Sequence, residues 1–369
     1  MNAFSKLKMF KATRLTQQGS LKKSLSLIRS MMQGSMNTVQ KLQGLSTLKQ
    51  AQPTRKTQTA PKSTPKTERR ADIYERGMPL KKTAFKGKGS QFTEHSFSNQ
   101  AGSRSYKLYI PAGYSSKAVP LVIMMHGCTQ SPDDFAAGTQ MNALADEMNF
   151  LVAYPAQPSS ANQSRCWNWF NQKDQKRDTG EASIIAGITQ DICNNLSVDK
   201  KRVYIAGLSA GGAAAAIMGD QYPDIYAAIG VHSGLASGAA GSIITAMGAM
   251  RQGSVSLNQN SQNGSSVPTI VFHGDKDTTV NPINAKQVIT QFKGENNLKV
   301  VTKNGSSEGG SKFTVMSYTN SQNNSQLEHW ELHGAGHAWS GGSSKGSYTD
   351  PKGPDASREM MRFFLSHTK

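Results

Sequence analysis

Several features are missing from this chain of 369 residues, and each absence narrows its class. No run of about 18 apolar residues occurs, which excludes a membrane-spanning helix. The start lacks an apolar core of roughly 7 to 15 residues, so a standard signal peptide is not expected. Its acid-poor, Ser- and Lys-rich make-up only loosely resembles a transit sequence. A cytoplasmic or granule-associated location is favoured, with an extracellular one as the alternative. No internal repeat is found, and no Arg/Glu pocket suited to peptide termini is legible, which weakens a peptidase reading. Cysteine is scarce: Cys128, Cys166 and Cys193 cannot all pair within the chain.

Acidic residues are absent before Glu68, and this makes the charge uneven. Residues 1–90 carry 20 Lys and Arg against 3 Asp and Glu, whereas the rest carry 22 against 21. Nearly all of the formal charge of +18 therefore belongs to the tail. Within residues 1–50, Leu21, Leu25, Ile28, Met32, Met36 and Val39 recur at helical spacing, with Lys and Ser on the other sides. This predicts a basic amphipathic segment, with a disordered or weakly helical arm as the alternative. Such a segment suits a granule or anionic surface; nucleic acid is a weaker fit. Residues 51–90 read as a Pro/Thr/Lys linker with too little apolar surface to fold, so the folded domain is expected over residues 91–369.

From Phe92 onward, strands alternate with helices. Phe92–Phe97 and Arg104–Ile110 read as paired strands, and Val119–Met125 is a continuous apolar run of the kind buried on both faces. Met141–Met148 reads as helix, Phe150–Tyr154 as strand and Ala182–Leu196 as helix. Arg202–Ala206 is a further strand that turns into a helix over Ala210–Gln221. Tyr226–Val231, Thr269–His273 and Gln326–Leu332 complete the strands. The alternation predicts an α/β fold: a mostly parallel twisted sheet with helices on both faces, its ligands at the carboxyl ends of the strands.

The loops after those strands hold the chemistry. GLSAGG, Gly207–Gly212, places Ser209 on a sharp strand-to-helix turn, the G-x-S-x-G pattern of a nucleophile elbow. HGCTQ, His126–Gln130, follows Val119–Met125 and offers the N–H of Cys128, which joins that of Ala210 as an oxyanion hole. GDKDTTV supplies Asp275 and Asp277; Asp277 is preferred because it lies further around the bend. HGAGHAWSGG supplies His333 and His337, of which His337 lies further into the glycine-rich loop. Serine, acid and histidine thus occur in the order of an α/β-hydrolase triad.

LVIMMHGCTQ, CWNWF, RVYIAGLSAGG, AMRQG, VFHGDKDTTV and GAGHAWSGG together resemble the polyhydroxybutyrate depolymerase-type esterases, over about residue 92 to the end. The resemblance implies an α/β-hydrolase fold, a Ser209–Asp277–His337 triad and action on short-chain hydroxyacid polyesters or related esters. Feruloyl or acetyl xylan esters are the alternative substrates, since a fold does not fix function. A surface- or nucleic-acid-binding protein with a vestigial hydrolase domain is the alternative of another class.

No metal or organic cofactor is expected. Trp167, Trp169 and Trp339 are candidates for an apolar wall around the substrate, with plain core packing as the alternative. Cys128 and Cys166 are candidates for a disulfide bracing the oxyanion loop, against three free thiols in a reducing compartment. Cys193, on a helix, is expected to be a buried thiol.

Overall fold

The computed structural model describes residues 89–369, apart from 116, 255–266 and 323. The amphipathic segment 1–50, and the linker 51–90 but for its last two residues, lie outside the described residues. Ten strands form one sheet: β1 (Gln91–Asn99), β2 (Gly102–Ile110), β3 (Val119–Met125), β4 (Leu151–Pro155), β5 (Val198–Leu208), β6 (Ala228–His232), β7 (Thr269–Gly274), β8 (Lys299–Ser306), β9 (Lys312–Thr319) and β10 (Ser325–Leu332). Their order is β1-β2-β4-β3-β5-β6-β7-β10-β9-β8. The six strands from β4 to β10 in that order are mutually parallel, and antiparallel pairs extend the sheet at both ends.

Every residue of β3 is buried, because helices cover both faces of the sheet. Leu121, Ile123 and Met125 point into one core, shared with α3 (Gly180–Asn195), α4 (Ala210–Gln221), α5 (Ile243–Gln252) and α6 (Ile283–Lys293). Val122 and Met124 point into the other, shared with α1 (Pro132–Thr139), α2 (Met141–Met148) and α7 (Ala356–Leu365). The period of two along a strand thus divides one apolar run between two cores. The α/β-hydrolase architecture read from the sequence is the architecture found.

Some boundaries differ, for local reasons. The Asp-rich stretch after HGCTQ is a helix, α1: the Ser131 hydroxyl accepts the Asp134 N–H at 3.2 Å, Pro132 opens the first turn, and Asp133 and Asp134 face the positive end of the helix dipole. Tyr226 belongs to the turn after α4, with its N–H bonded to Tyr222 O at 3.2 Å, so β6 starts at Ala228. The β8–β9 hairpin was not foreseen. β8 is exposed along nearly its whole length, which removes the apolar alternation that marks a half-buried strand. No helix among the described residues is long and apolar enough to cross a membrane.

Candidate active site

The carboxyl ends of β3, β5, β7 and β10 carry the candidate residues. Ser209 stands between β5 and α4 with φ 58° and ψ −118°, a conformation L-residues rarely adopt. The turn closes because its glycines lack side chains. A Cβ on Gly207 would meet Gly211 O at 2.3 Å, and one on Gly211 would meet Met125 O at 2.0 Å. The Ser209 N–H is held by His232 O at 2.9 Å.

Nδ1 of His337 lies 2.6 Å from Oδ2 of Asp277. A carboxylate only accepts, so Nδ1 carries the hydrogen, and in the neutral ring Nε2 is left as the free base. Oδ1 of Asp277 accepts the N–H groups of Thr279 and Val280, both at 2.9 Å, and Nε2 of the buried His273 stands 3.4 Å from Oδ2. Burial alone would raise the Asp277 carboxyl pKa, but the hydrogen bonds and charges of His273 and His337 outweigh it and hold the group below the usual carboxylate range. Asp277 is therefore a fixed anion behind the imidazole. The structure brings acid and base together. Ser209 Oγ makes no hydrogen bond among the described residues, so its position is set by the elbow and not by a hydrogen bond to His337.

The loop that carries Cys128, the candidate oxyanion donor, is fastened on both sides of that residue. Gly127 N–H donates to Gln130 Oε1 at 2.9 Å and Thr129 N–H to Ser164 O at 2.6 Å. Nε2 of His126 accepts the Gln157 N–H at 3.1 Å, so Nδ1–H donates to Gly127 O at 2.8 Å. Burial pushes the His126 pKa down to about 4, which keeps this tautomer neutral. The loop lies against the elbow: a Cβ on Gly127 would stand 3.6 Å from Ser209 Cβ. Among the described residues, the N–H groups of Cys128 and Ala210 have no acceptor, whereas those of Gly127, Thr129 and Ser209 do. Two unpaired donors beside a strained serine fit a site for negative charge.

Cys128 and Cys166 are bridged, S–S 2.05 Å. Cys166 in turn sits on a segment organised by the buried Glu181. Oε2 of Glu181 accepts the Asn168 N–H at 2.7 Å, and Oε1 accepts Asn168 Nδ2 at 2.7 Å, Gln157 Nε2 at 2.5 Å and Arg104 Nη2 at 3.1 Å. Gln157 also donates to Cys166 O at 2.9 Å. Cys193 is a free, partly buried thiol whose pKa burial raises to about 11.

The tryptophans do not form a substrate wall. Trp167 and Trp339 are each 1% exposed and Trp169 6%, and the cavity beside Trp167 and Trp169 is about 10 Å³, space for one water. Trp339 donates its indole N–H to Ser357 Oγ at 3.0 Å and packs on Phe135 and His232. Their aromatic bulk serves the core beneath the site. The rival residues Asp275 and His333 face each other and neither is bonded to the triad candidates, Nδ1 of His333 being 3.3 Å from Asp275 Oδ2. His232, Gln157 and Glu181 were not singled out from the sequence; they act through contacts distant in the chain, and no motif announces them. His126 entered only as the first residue of HGCTQ, without the hydrogen bonds it makes to Gln157 and Gly127.

Residues 104–312 match the family model described as Esterase PHB depolymerase. The chain belongs to the PHB depolymerase esterase family. The poly(3-hydroxyalkanoate) depolymerase C of Paucimonas lemoignei is 30% identical over 65% of this chain and 60% of its own length. Acetylxylan esterase A of Talaromyces purpureogenus is 25% identical over 59% of this chain and 60% of its own. The chain thus spans about 60% of the length of these curated relatives. An acetyl xylan esterase from Aspergillus awamori shares the fold, with TM-score 0.60 and 19% identity over 74% of this chain and 99% of that one.

Proposed function

We propose that this member of the PHB depolymerase esterase family is a serine esterase that cleaves short-chain polyhydroxyalkanoate polyester through an acyl-enzyme on Ser209. The observation that carries this reading is the His337 Nδ1–Asp277 Oδ2 pair at 2.6 Å, on loops at the same carboxyl edge of the sheet as a strained serine elbow. In the proposed mechanism Ser209 Oγ attacks the ester carbonyl while Nε2 of His337 takes its proton. Asp277 holds the ring tautomer and stabilises the imidazolium. The N–H groups of Cys128 and Ala210 receive the oxyanion, each worth roughly 3 to 4 kcal/mol of transition-state stabilisation. Nε2–H then protonates the departing alkoxide, and water, activated by the same nitrogen, releases the acid.

The apolar rim supports a polyester substrate. Ile243, Ile244 and Met247 on α5, with Ile283 at the start of α6, are exposed. They adjoin the Asp277 loop, where Asn281 N–H donates to Met250 O at 2.7 Å. An exposed apolar patch beside the proposed site suits a water-insoluble chain better than a soluble sugar. The basic segment 1–50 is proposed to add adhesion to a granule or anionic surface. A carbohydrate esterase is the second reading, favoured by the likeness to acetylxylan esterases in sequence and fold.

A substrate panel tests these readings: p-nitrophenyl butyrate, polyhydroxybutyrate film, acetylated xylan and a feruloyl sugar. Turnover of the butyrate ester and the film supports the polyesterase. Turnover of the xylan or feruloyl ester in place of the film replaces it with the second reading, and no turnover of any ester rejects the enzyme.

A further inference from the structure

Asp275 and His333, the alternative acid and base of the sequence reading, have found each other and a third partner. One ligand atom from each of Asp275, Glu331 and His333 lies within 4.8 Å of the other two. Neither carboxylate has a Lys or Arg nitrogen within 4.0 Å among the described residues, and the only ion-pair contact of the group is the internal one between His333 and Asp275.

The hydrogen bonds fix which way the imidazole faces. Thr314 Oγ1 donates its single proton to Asn304 Oδ1 at 2.8 Å, so towards His333 Nε2, also at 2.8 Å, it accepts. Nε2 therefore carries the hydrogen. A neutral His333 then turns the lone pair of Nδ1 towards Asp275 Oδ2, 3.3 Å away. Oδ1 of Asp275 is already engaged by the Gly334 N–H at 2.7 Å. With Nδ1 unprotonated, one acceptor atom from each of the three residues lies within 4.8 Å of the other two.

We propose that Asp275, Glu331 and His333 bind a divalent metal ion. Oδ2 of Asp275, a Glu331 carboxylate oxygen and Nδ1 of His333 are the ligands. The Nε2–H···Thr314 bond is the outer contact that orients a metal-bound imidazole. One nitrogen and two carboxylates favour Zn²⁺ or Mn²⁺ over Ca²⁺, which takes six to eight oxygens, and over soft copper(I), which selects sulfur. Metal bonds of about 2.0 to 2.3 Å span donors up to about 4.5 Å apart, so a small closing movement of His333 completes the set. The site is reachable, with the His333 side chain 38% and Asp275 28% exposed.

Its place in the fold gives it a task. Asp275 follows β7 and lies two residues before Asp277; Glu331 lies at the end of β10 and His333 just after it, and His337 lies four residues beyond His333. An ion here staples together the two loops that carry the proposed acid and base, and takes no part in ester cleavage itself.

The test uses the full chain without a polyhistidine tag, stripped with chelator and titrated with ZnCl₂, MnCl₂ or CaCl₂ by calorimetry and thermal melting. One site is expected, tighter for Zn²⁺ or Mn²⁺ than for Ca²⁺, with a midpoint rise of roughly 5 °C at a hundredfold excess over Kd. Glu331→Gln and His333→Asn, each checked for native circular dichroism, are expected to weaken binding at least tenfold. Ser209→Ala is expected to bind metal as the parent does, which separates this site from the proposed hydrolysis. No heat and no melting shift with any of the three ions would mean that His333 and Asp275 are only an ion pair, and would overturn the proposal. Binding unchanged in both metal-site variants would overturn it equally.

Discussion

The Ser340 N–H donates to Nε2 of His232 at 3.0 Å, and the carbonyl of the same His232 accepts the Ser209 N–H at 2.9 Å. One buried residue thus ties the segment just past His337, through its side chain, to the elbow of the proposed nucleophile, through its main chain. Burial holds the imidazole of His232 well below its ordinary pKa, so Nε2 stays a neutral acceptor. His232→Phe keeps the stack on Phe272 and Trp339 but removes that acceptor. A fall in kcat of roughly tenfold to a hundredfold is expected, with KM little changed, because small misplacements of reacting groups are costly. Steady-state kinetics on p-nitrophenyl butyrate checks it, and unchanged kcat would show that the link is idle.

Ser209→Ala is expected to remove at least about 10⁴-fold of turnover while the fold persists. Ser209→Gly carries a second expectation. A glycine relaxes at φ 58° and ψ −118°, so this variant gains stability on the order of 1 kcal/mol even as activity is lost. Urea melts of the two variants beside the parent separate strain from chemistry. A glycine variant no more stable than the alanine variant would show that the elbow stores no strain.

Acid is expected to unfold the protein in two stages. His126 and His329 are buried, and burial lowers each pKa to about 4, against about 6.5 unfolded. Between those values the unfolded chain binds protons that the folded one refuses. The stability is thus complete above about pH 6.5 and is lost as pH falls towards 4, with a slope of up to about 1.4 kcal/mol per pH unit for each histidine. Asp277 adds a later loss: its folded pKa is depressed, so its contribution is present above about pH 3.9 and goes as pH falls further. Urea midpoints at pH 7, 6, 5 and 4 measure the first stage, and His329→Gln should shallow it. A midpoint flat from pH 7 to 5 would contradict the burial argument.

Cys166→Ser is expected to lower kcat roughly tenfold or more without unfolding the chain, since the bridge to Cys128 anchors a proposed oxyanion donor. Thiol titration of the denatured, unreduced protein should find one free group, Cys193. Three free groups would remove the bridge from the account.

The sheet was legible where burial writes itself into the chain. VPLVIMM can only be a strand covered on both faces, and the glycines around Ser209 can only serve a close approach. The exposed strand β8 carries no such mark, and the helix after HGCTQ is announced by Ser131, Pro132 and two aspartates rather than by apolar periodicity. For the candidate site, chain order distinguishes Asp277 from Asp275 only weakly. What separates them is the histidine each faces, His337 at 2.6 Å for Asp277 and His333 at 3.3 Å for Asp275, a contact about sixty residues away that local pattern does not encode. The tryptophans misled for a related reason: an aromatic near a motif looks the same in sequence whether it faces solvent or the core.

The space denied to a methyl group at positions 207 and 211 has a consequence for anyone mapping this protein by substitution. Alanine at either position would force the main chain of the elbow or of β3 to shift. Such variants will score as dead although neither position supplies an atom to the reaction. Their silence will report a displaced scaffold, and only a folding measurement made alongside will keep them from being mistaken for part of the chemistry.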